Sequence, residues 1–413
     1  MSATANPELA SRPPDPAGRG VGRGQLRALT GLRYLAALGV FLDHFWLRTR
    51  FGTYTTTESL VGRVASRGSV GVQLFFVLSG FVLAYAAGGP MPPTASARRE
   101  FWVARFARIY PAYLLALAAA VPELFMNIDH YVSKFGPRAG MRLVGAASAL
   151  VLTLLQSWVP PVANFWNGPG WTLSVEAFFY AAFPLLVSPR SMRLLTRIPM
   201  VPSVLLWWSV GIAAPLALLA LRGGALPESE RYFLHYLPVL NLPWFIIGIV
   251  MAARFLETDR QSERVQRSAD TLVWIGIGSV LATLALPSGR STDVIVYYAV
   301  VPAFALLIYA LALARGLVAR LLGTPAMVLL GDSSYAFYLL HLPLTYACTM
   351  AFGLHVTIYT PHEDFGLSIG QTATALLVTT LVSILVHRYY ERPLRDLIRG
   401  SHRQWSAAGQ KLP

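Results

Sequence analysis

Long apolar segments separated by short polar and charged stretches dominate the chain. Many of them approach the ~20 residues that a helix needs to cross the ~30 Å hydrocarbon core of a bilayer. The period-2 alternation of membrane β-barrels is absent, and lipid offers no partner for an open strand edge, so helices are predicted. The segments lie near residues 28–48, 69–87, 101–121, 141–159, 171–187, 201–221, 234–255, 271–287, 294–314, 327–352 and 367–388.

Arginines between the later segments orient the predicted helices. The positive-inside rule places short loops rich in Lys and Arg in the cytoplasm. Arginines recur within 190–197, 254–267 and 315–320, whereas 353–366 has neither residue, so both termini are expected to be cytoplasmic. Two cytoplasmic termini require an even number of spans. One of the first five segments is therefore expected to be re-entrant or interfacial, and an all-α, polytopic bundle of about ten spans is predicted.

Composition supports a membrane protein and changes the interpretation of the charge. The chain has 413 residues, of which 55% are hydrophobic and 13% charged, against roughly 25% charged in soluble domains. The net charge of +14 comes from arginines at the ends of apolar segments. These arginines indicate topology and contact with anionic lipid headgroups, so no nucleic-acid partner is expected. A single cysteine, Cys348, cannot form an internal disulfide or a metal cluster.

The two ends of the chain differ from its middle. Residues 1–26 are rich in Pro, Gly, Ala, Ser and Arg and are predicted to be a disordered cytoplasmic tail. They show no apolar core of a signal peptide. Residues 27–395 are predicted to form one membrane domain, and 396–413 a basic cytoplasmic tail.

Ionisable residues within the first apolar segment are unexpected in lipid. Each costs at least ~2.5–3.5 kcal/mol on insertion, so such residues usually pair or function. Arg33 and His44 are eleven residues apart, which places them on one helix face about 16 Å apart along the axis. With Asp43 beside it, His44 is a candidate general base. A histidine satisfied within the core is the alternative.

Four arginines cluster at the start of the third segment: Arg98, Arg99, Arg105 and Arg108. Topology alone would explain two of them. Arg105 and Arg108 are three residues apart on one helix face. Their forked, permanently charged guanidinium groups suit the binding of phosphate. The cluster therefore favours anion binding.

Glu176 lies within the apolar fifth segment, between Trp171 and Tyr180. Glu176 and Tyr180 are four residues apart and share a helix face. A carboxylate in this position requires a partner, for which an arginine or a protonated histidine is the best candidate. A structural ion pair and a catalytic role remain open.

Small and polar residues mark two further segments. Ser79 and Gly80 permit close helix approach, and Ser79 could instead donate a hydrogen bond in a pocket. Ser334, Tyr338 and His341 form a polar stripe on one predicted helix. Walker, GxSxG and HExxH motifs and clustered Cys/His ligands are absent, so no metal is expected.

Taken together, these motifs resemble the acyltransferase-3 family of bacterial integral-membrane O-acyltransferases, over about residues 28–395. The chain resembles the stand-alone members without an appended hydrolase-like domain, and Thr30 replaces the family's usual Asp. The matching residues are Arg33 followed after ten residues by His44, the Gly71–Phe81 segment, Arg105 with Arg108, Trp171 with Glu176 and Tyr180, and Ser334 with Tyr335 and His341.

The resemblance implies transfer of an acyl group from acyl-CoA to a hydroxyl of a sugar, a surface glycan or a glycosylated small molecule such as a macrolide. It implies a location in the bacterial cytoplasmic membrane. His44 and Glu176 are the expected catalytic residues. Arg33, Arg105 and Arg108 are expected to bind the coenzyme A phosphates. The expected pocket residues are Ser79, Trp171, Tyr180, Ser334, Tyr335 and His341.

Two other functions are compatible with the residues. A transporter could use intramembrane Glu, His and Arg as a proton relay, although the chain lacks the matching interrupted segments typical of inverted repeats. A passive scaffold would leave the charges of the first and fifth segments unexplained. Binding of coenzyme A distinguishes an acyltransferase from both.

Overall fold

The computed structural model describes residues 26–46, 59–353 and 368–409. Within these ranges the chain is helical and has no β-strand, which confirms the all-α prediction. Nearly all of the predicted N-terminal tail lies outside the described residues. The same is true of the loop after residue 353, which contains no Lys or Arg, and of the last four residues.

The first half of the chain forms helices of very different lengths. Short 3₁₀ turns, Gly68–Val70, Gln156–Trp158, Pro160–Val162 and Gly168–Gly170, lie between some of them. The helices are α1 (Arg27–Trp46), α2 (Leu60–Ala65), α3 (Gly71–Ala87), α4 (Ala95–Ala119), α5 (Val121–Phe135), α6 (Pro137–Leu152), α7 (Trp171–Leu186), α8 (Pro189–Leu195) and α9 (Met200–Leu221).

The second half continues in the same way. A π-helical turn, His387–Glu391, joins its last two helices. The helices are α10 (Glu228–Tyr236), α11 (Pro238–Glu257), α12 (Glu263–Leu284), α13 (Arg290–Ala299), α14 (Val301–Leu313), α15 (Leu317–Leu322), α16 (Pro325–Ala351), α17 (Ile369–Val386) and α18 (Arg392–Gly409).

In the described part of the chain, five helical stretches are long and apolar enough to cross a membrane, and up to seven if each of two bent pairs counts as one span. The bent pairs are α4 with α5, at 61°, and the stretch Gly168–Leu186 with α8, at 96°. Ten spans would need three more helices. The prediction of ten spans and of cytoplasmic termini therefore stays a prediction. The unbent stretches are Leu60–Ala87, Met200–Leu221, Glu228–Glu257, Ser291–Leu313 and Ile369–Gly400.

Helices α3 and α11 form the most extensive helix contact of the bundle. A Cβ atom on Gly80 would overlap the Phe245 carbonyl oxygen, and one on Gly248 would overlap the Val77 carbonyl oxygen. The close approach predicted for Gly80 is confirmed, because only glycine lets the two backbones touch here. Next to this crossing, the rings of Phe179 and Phe245 stack with centroids 4.7 Å apart.

Helices α1 and α16 run parallel and in close contact. Near their beginnings, Gly331 lies directly against the Thr30 carbonyl. Further along, the Phe337 ring lies 5.7 Å from that of Tyr34 and 5.9 Å from that of Phe41, centroid to centroid. This pair of helices carries Arg33, His44 and His341, which are described next.

Alanine in place of Gly248 should destabilise the protein. The added methyl group forces α3 and α11 apart, and overpacking of this kind costs about 1–3 kcal/mol. Gly278 on α12 is the matched control, because a Cβ there meets no atom within 4 Å. Alanine at Gly278 should stabilise its helix by up to about 1 kcal/mol. Thermal unfolding midpoints in detergent compare the two, and an equal or higher midpoint for Gly248→Ala contradicts the packing described here.

Candidate active site

Seven of the residues predicted to form the site line one cavity of about 120 Å³. The cavity lies where α1, α3, α4, α7 and α16 meet, so residues far apart in the chain converge on it. We call it the arginine cavity. The seven residues are Arg33, Ser79, Arg105, Arg108, Glu176, Tyr180 and Tyr335.

The arginine cavity carries an excess of positive charge. Arg33, Arg105 and Arg108 face one lining carboxylate, Glu176, whose Oε2 accepts a hydrogen bond of 3.0 Å from the Tyr180 hydroxyl. None of the three arginines forms an ion pair within 4 Å of a carboxylate in the described ranges. The buried Nε of Arg105 also lacks a hydrogen-bond partner there. Buried donors without partners favour an anionic ligand.

The four predicted arginines separate into two kinds. Arg98 and Arg99 are exposed at the start of α4, whereas Arg105 and Arg108 line the cavity one or two turns later. Arg105 and Arg108, three residues apart, are thus the two arginines on the cavity side of the helix. Glu176 shares the cavity with arginines, one of its two expected kinds of partner, whereas no histidine lines the cavity.

A smaller cavity of about 50 Å³ continues from the arginine cavity along α16. The two share Arg33, Glu176 and Tyr335, and the second adds Ser334 and Tyr338. The Ser334 hydroxyl donates to the Gly331 carbonyl oxygen at 2.7 Å. Polar and aromatic side chains therefore form a continuous path from the arginines towards the middle of α16.

His44 and His341 form a pair at the other end of this path. His44 Nδ1 and His341 Nε2 are 2.8 Å apart, and the two rings are nearly parallel at 8°. His341 is 1% exposed, and its ring centroid lies 5.8 Å from that of Tyr338. Neither histidine lines the arginine cavity or the smaller one. The predicted site thus has two parts, one cationic and one formed by imidazoles.

The hydrogen bonds of the pair define the tautomers of the neutral rings. A carbonyl oxygen only accepts, so His341 Nδ1–H donates to the Tyr338 carbonyl at 2.6 Å. His341 Nε2 then has a lone pair and accepts from His44 Nδ1–H. The basic lone pair of His44 consequently lies on Nε2. This arrangement of base and orienting group is the one that general-base catalysis uses.

Pro343 and Asn167 determine the backbone hydrogen bonding of α16 next to His341. Neither residue was predicted from the sequence. Pro343 has no N–H, so the carbonyl of Leu339, four residues earlier, lacks its helical donor. The Asn167 amide replaces that donor, at 3.2 Å from the Leu339 oxygen. Asn167 is fully buried with φ 52°, a left-handed conformation that asparagine tolerates. The sequence signal for this interrupted hydrogen bonding was Pro343, two residues after His341.

Trp171, by contrast, does not line the arginine cavity. It begins α7, and its ring lies 4.7 Å from His235 and 5.0 Å from Tyr236, centroid to centroid. His235 was not identified from the sequence, since a single histidine near an apolar run gives no signal by itself. Within the described ranges, no group of three or more His, Cys, Asp and Glu side chains could hold a metal ion.

The fold and the site together define a multi-pass helical membrane protein with a cationic cavity and a histidine pair in one bundle. The chain belongs to the acyltransferase-3 family: the family model described as "Acyltransferase domain" matches residues 26–388. The resemblance noted in the sequence is thereby confirmed.

Three relatives illustrate the family. The chain is 33% identical to "Acyltransferase MdmB" of Streptomyces mycarofaciens, over 91% of this chain and 92% of that protein. It is 28% identical to "Exopolysaccharide production protein ExoZ" of Rhizobium meliloti (strain 1021), over 82% and 93%. It is 22% identical to "O-acetyltransferase OatA" of Staphylococcus aureus, over 90% of this chain and 57% of that protein. No solved structure matches the chain.

Replacing Asn167 by glycine should destabilise α16, because the Leu339 carbonyl is left buried without a donor. The expected loss is about 1–3 kcal/mol. Pro343→Ala restores a helical N–H to that carbonyl, so the same replacement should cost less in the Pro343→Ala background. Denaturant unfolding in detergent measures the four variants of this cycle.

Asn164 provides the control for this cycle. It lies in the same loop, is exposed, and donates to the Tyr236 hydroxyl at 2.6 Å. Asn164→Gly should cost the same with either residue at position 343. An Asn167→Gly loss that is equal in both backgrounds would remove the proposed link to Pro343.

Proposed function

We propose that this protein is an O-acyltransferase of the bacterial cytoplasmic membrane that uses acyl-CoA as donor. Its acceptor is a hydroxyl of a sugar, a surface glycan or a glycosylated small molecule such as a macrolide. The observation that carries the proposal is the arginine cavity, which shares helices α1 and α16 with the His44–His341 pair. An anion-binding site and a general base are what transfer from an anionic thioester requires.

The donor's phosphates bind in the arginine cavity. Guanidinium groups bind phosphate oxygens through two parallel hydrogen bonds, and Arg33, Arg105 and Arg108 converge without carboxylate partners at ion-pair distance among the described residues. Glu176 orients these arginines through charge. The thioester lies at the end of coenzyme A's long flexible arm. That arm follows the smaller cavity along α16 towards the histidines, over about 16 Å between Arg33 and His44 along α1.

His44 acts as the general base. Its Nε2 takes the proton of the acceptor hydroxyl while the hydroxyl oxygen attacks the thioester carbonyl carbon. The carbon–sulfur bond breaks, and His44 returns the proton to the departing thiolate, which leaves as free coenzyme A. His341 is a positioning residue. Its Nε2 accepts the His44 Nδ1 hydrogen at 2.8 Å and stabilises the cation that forms on His44 during transfer.

A hydroxyl-rich acceptor agrees with the comparisons. One relative is named for exopolysaccharide production and another is named an O-acetyltransferase. Both names are compatible with acylation of a sugar hydroxyl. Within the chain, aromatic side chains near Trp171 provide surfaces suited to sugar rings, as argued below.

Without an acceptor, water takes the place of the acceptor hydroxyl and the acyl group leaves as the free acid. His44→Ala should abolish the thiol release that this hydrolysis gives with acetyl-, propionyl- and succinyl-CoA. Loss of a general base lowers turnover by about 10²–10⁴-fold, while donor affinity should stay unchanged because the arginines are intact. His130→Ala is the control, since His130 is exposed on α5. Purified proteins in detergent are compared by thiol release and by equilibrium binding of the donor. Near-normal turnover in His44→Ala contradicts the assigned base.

Arg105→Ala and Arg108→Ala should weaken donor binding more than they lower turnover. Each replacement removes charge-assisted hydrogen bonds of about 1.5–3 kcal/mol, or roughly 10–100-fold in Kd. Arg98→Ala, an exposed arginine of the same helix, should leave the Kd unchanged. If all three variants bind acyl-CoA as the wild type does, the cavity does not hold the phosphates. If the wild type neither binds nor cleaves any donor, the transporter alternative replaces the proposal.

A further inference from the structure

A second and larger cavity, of about 520 Å³, lies between α10 and α13. Its volume falls within the ~300–1,000 Å³ range typical of small-molecule sites. We call it the tyrosine pocket. Side chains on its wall include Ser69, Arg231, Tyr232, His235, Asp293 and Tyr297.

The tyrosine pocket and the arginine cavity occupy opposite ends of the bundle. Ser69, just before α3 begins, lines the pocket, whereas Ser79 of α3 lines the arginine cavity about three turns later. Helix α7 likewise runs from the tyrosine pocket to the arginine cavity. Trp171 at its start packs against His235 of the pocket, and Tyr180 lies in the arginine cavity. Both helices therefore connect the two sites.

Aromatic rings dominate the wall of the pocket. His235 lies 4.7 Å from Tyr297 and 4.8 Å from Tyr236, and Tyr232 lies 5.6 Å from Tyr236, each between ring centroids. Such rings offer flat apolar faces with polar edges. The C–H face of a sugar ring packs on such faces, while Asp293 can accept hydrogen bonds from its hydroxyls.

One polar group on the wall has incomplete hydrogen bonding. Tyr297 lines the pocket and is 9% exposed, while its hydroxyl is turned away from water beside the fully buried Gln73 amide. In the described ranges neither group makes a hydrogen bond of standard geometry. A sugar hydroxyl that reaches the Tyr297 hydroxyl would complete its hydrogen bonding.

An ion pair between buried Arg67 and half-exposed Asp293 holds the wall of the pocket in place. Arg67 is 6% exposed, and its Nη2 lies 2.6 Å from Asp293 Oδ1. Its Nη1 donates to the carbonyl oxygens of Leu284 and Leu286, each at 2.7 Å. These bonds fix α13 against the turn before α3. The pocket is thus preformed, which reduces the ordering cost of binding.

The tyrosine pocket and the histidine pair lie at the same end of the bundle. The Trp171 ring packs against those of His235 and Tyr236 of the pocket. Four residues earlier, Asn167 donates to the Leu339 carbonyl of α16, two residues before His341. The pocket is therefore the site at the histidine end of the path, and the arginine cavity is the site at its other end.

We infer that the tyrosine pocket binds a sugar ring of the acceptor, so that the acceptor reaches the histidines from the end of the bundle opposite the donor. The acceptor role rests on the proposed acyltransfer. The binding of a sugar ring rests on the pocket alone. The two are therefore tested separately.

Binding of 4-nitrophenyl glycosides to the purified full-length chain, without any acyl-CoA, tests the pocket. Equilibrium dialysis should show saturable binding of at least one of the glucoside, galactoside, mannoside and 6-deoxyhexoside. The corresponding methyl glycoside should compete, and free 4-nitrophenol should not bind at that site. Tyr232→Ala, which removes a stacking face, should weaken binding about tenfold, and Tyr297→Phe, which removes only the hydroxyl, about fivefold.

Two matched variants serve as controls. Tyr389→Ala removes an exposed ring of the π-helical turn, and Tyr309→Phe removes a hydroxyl that meets Thr258 Oγ1 at 2.9 Å. Both should bind the glycoside as the wild type does. All four variants should bind acyl-CoA normally, because none of the replaced residues lines the arginine cavity.

The outcomes are distinct. The proposed sugar site is wrong if no glycoside binds, if 4-nitrophenol binds equally well, or if neither Tyr232→Ala nor Tyr297→Phe weakens binding. If Tyr232→Ala and Tyr297→Phe weaken glycoside binding, the sugar site is established, whether or not acyl-CoA is bound or cleaved. If the wild type then releases no thiol from acyl-CoA, the proposed acyltransfer fails while the sugar site remains.

Discussion

The hydrogen bond between His44 and His341 joins residues 297 positions apart, and it depends on the parallel packing of α1 on α16. That packing requires contact of backbone with backbone, since Gly331 leaves no room for a side chain beside the Thr30 carbonyl. The Tyr338 carbonyl orients His341, and Asn167 satisfies the next carbonyl, that of Leu339, which Pro343 leaves without a helical donor. The proposed base is therefore a product of helix packing and not of a local motif.

The same two helices organise the charge. Arg33 lies near the beginning of α1 and His44 near its end, so the cationic cavity and the imidazole pair are held apart by the length of the helix. This separation has a chemical use. An arginine next to His44 would disfavour the imidazolium that forms when the base takes a proton. A donor with its phosphates and its thioester at opposite ends of a long arm fits this spacing.

The sequence predicted which residues of one helix share a face. Arg105 and Arg108, three residues apart, both line the arginine cavity, and Glu176 and Tyr180, four apart, are hydrogen-bonded. Helical periodicity alone places such pairs on one face. Asn167 and His235 could not be found in this way, because each contacts a helix that is remote in the chain.

What the sequence by itself determined was the class of the protein. Apolar segments with few charges permit only helices in lipid, and the order of the Arg, His and Glu motifs indicates an acyltransferase of this family. Only the tertiary structure decided which of those residues meet. His44 is hydrogen-bonded to His341, whereas Glu176 is hydrogen-bonded to Tyr180 and shares one cavity with three arginines. The physical reason is that helix periodicity fixes the face of a residue, whereas the choice of the facing helix depends on close packing between distant segments.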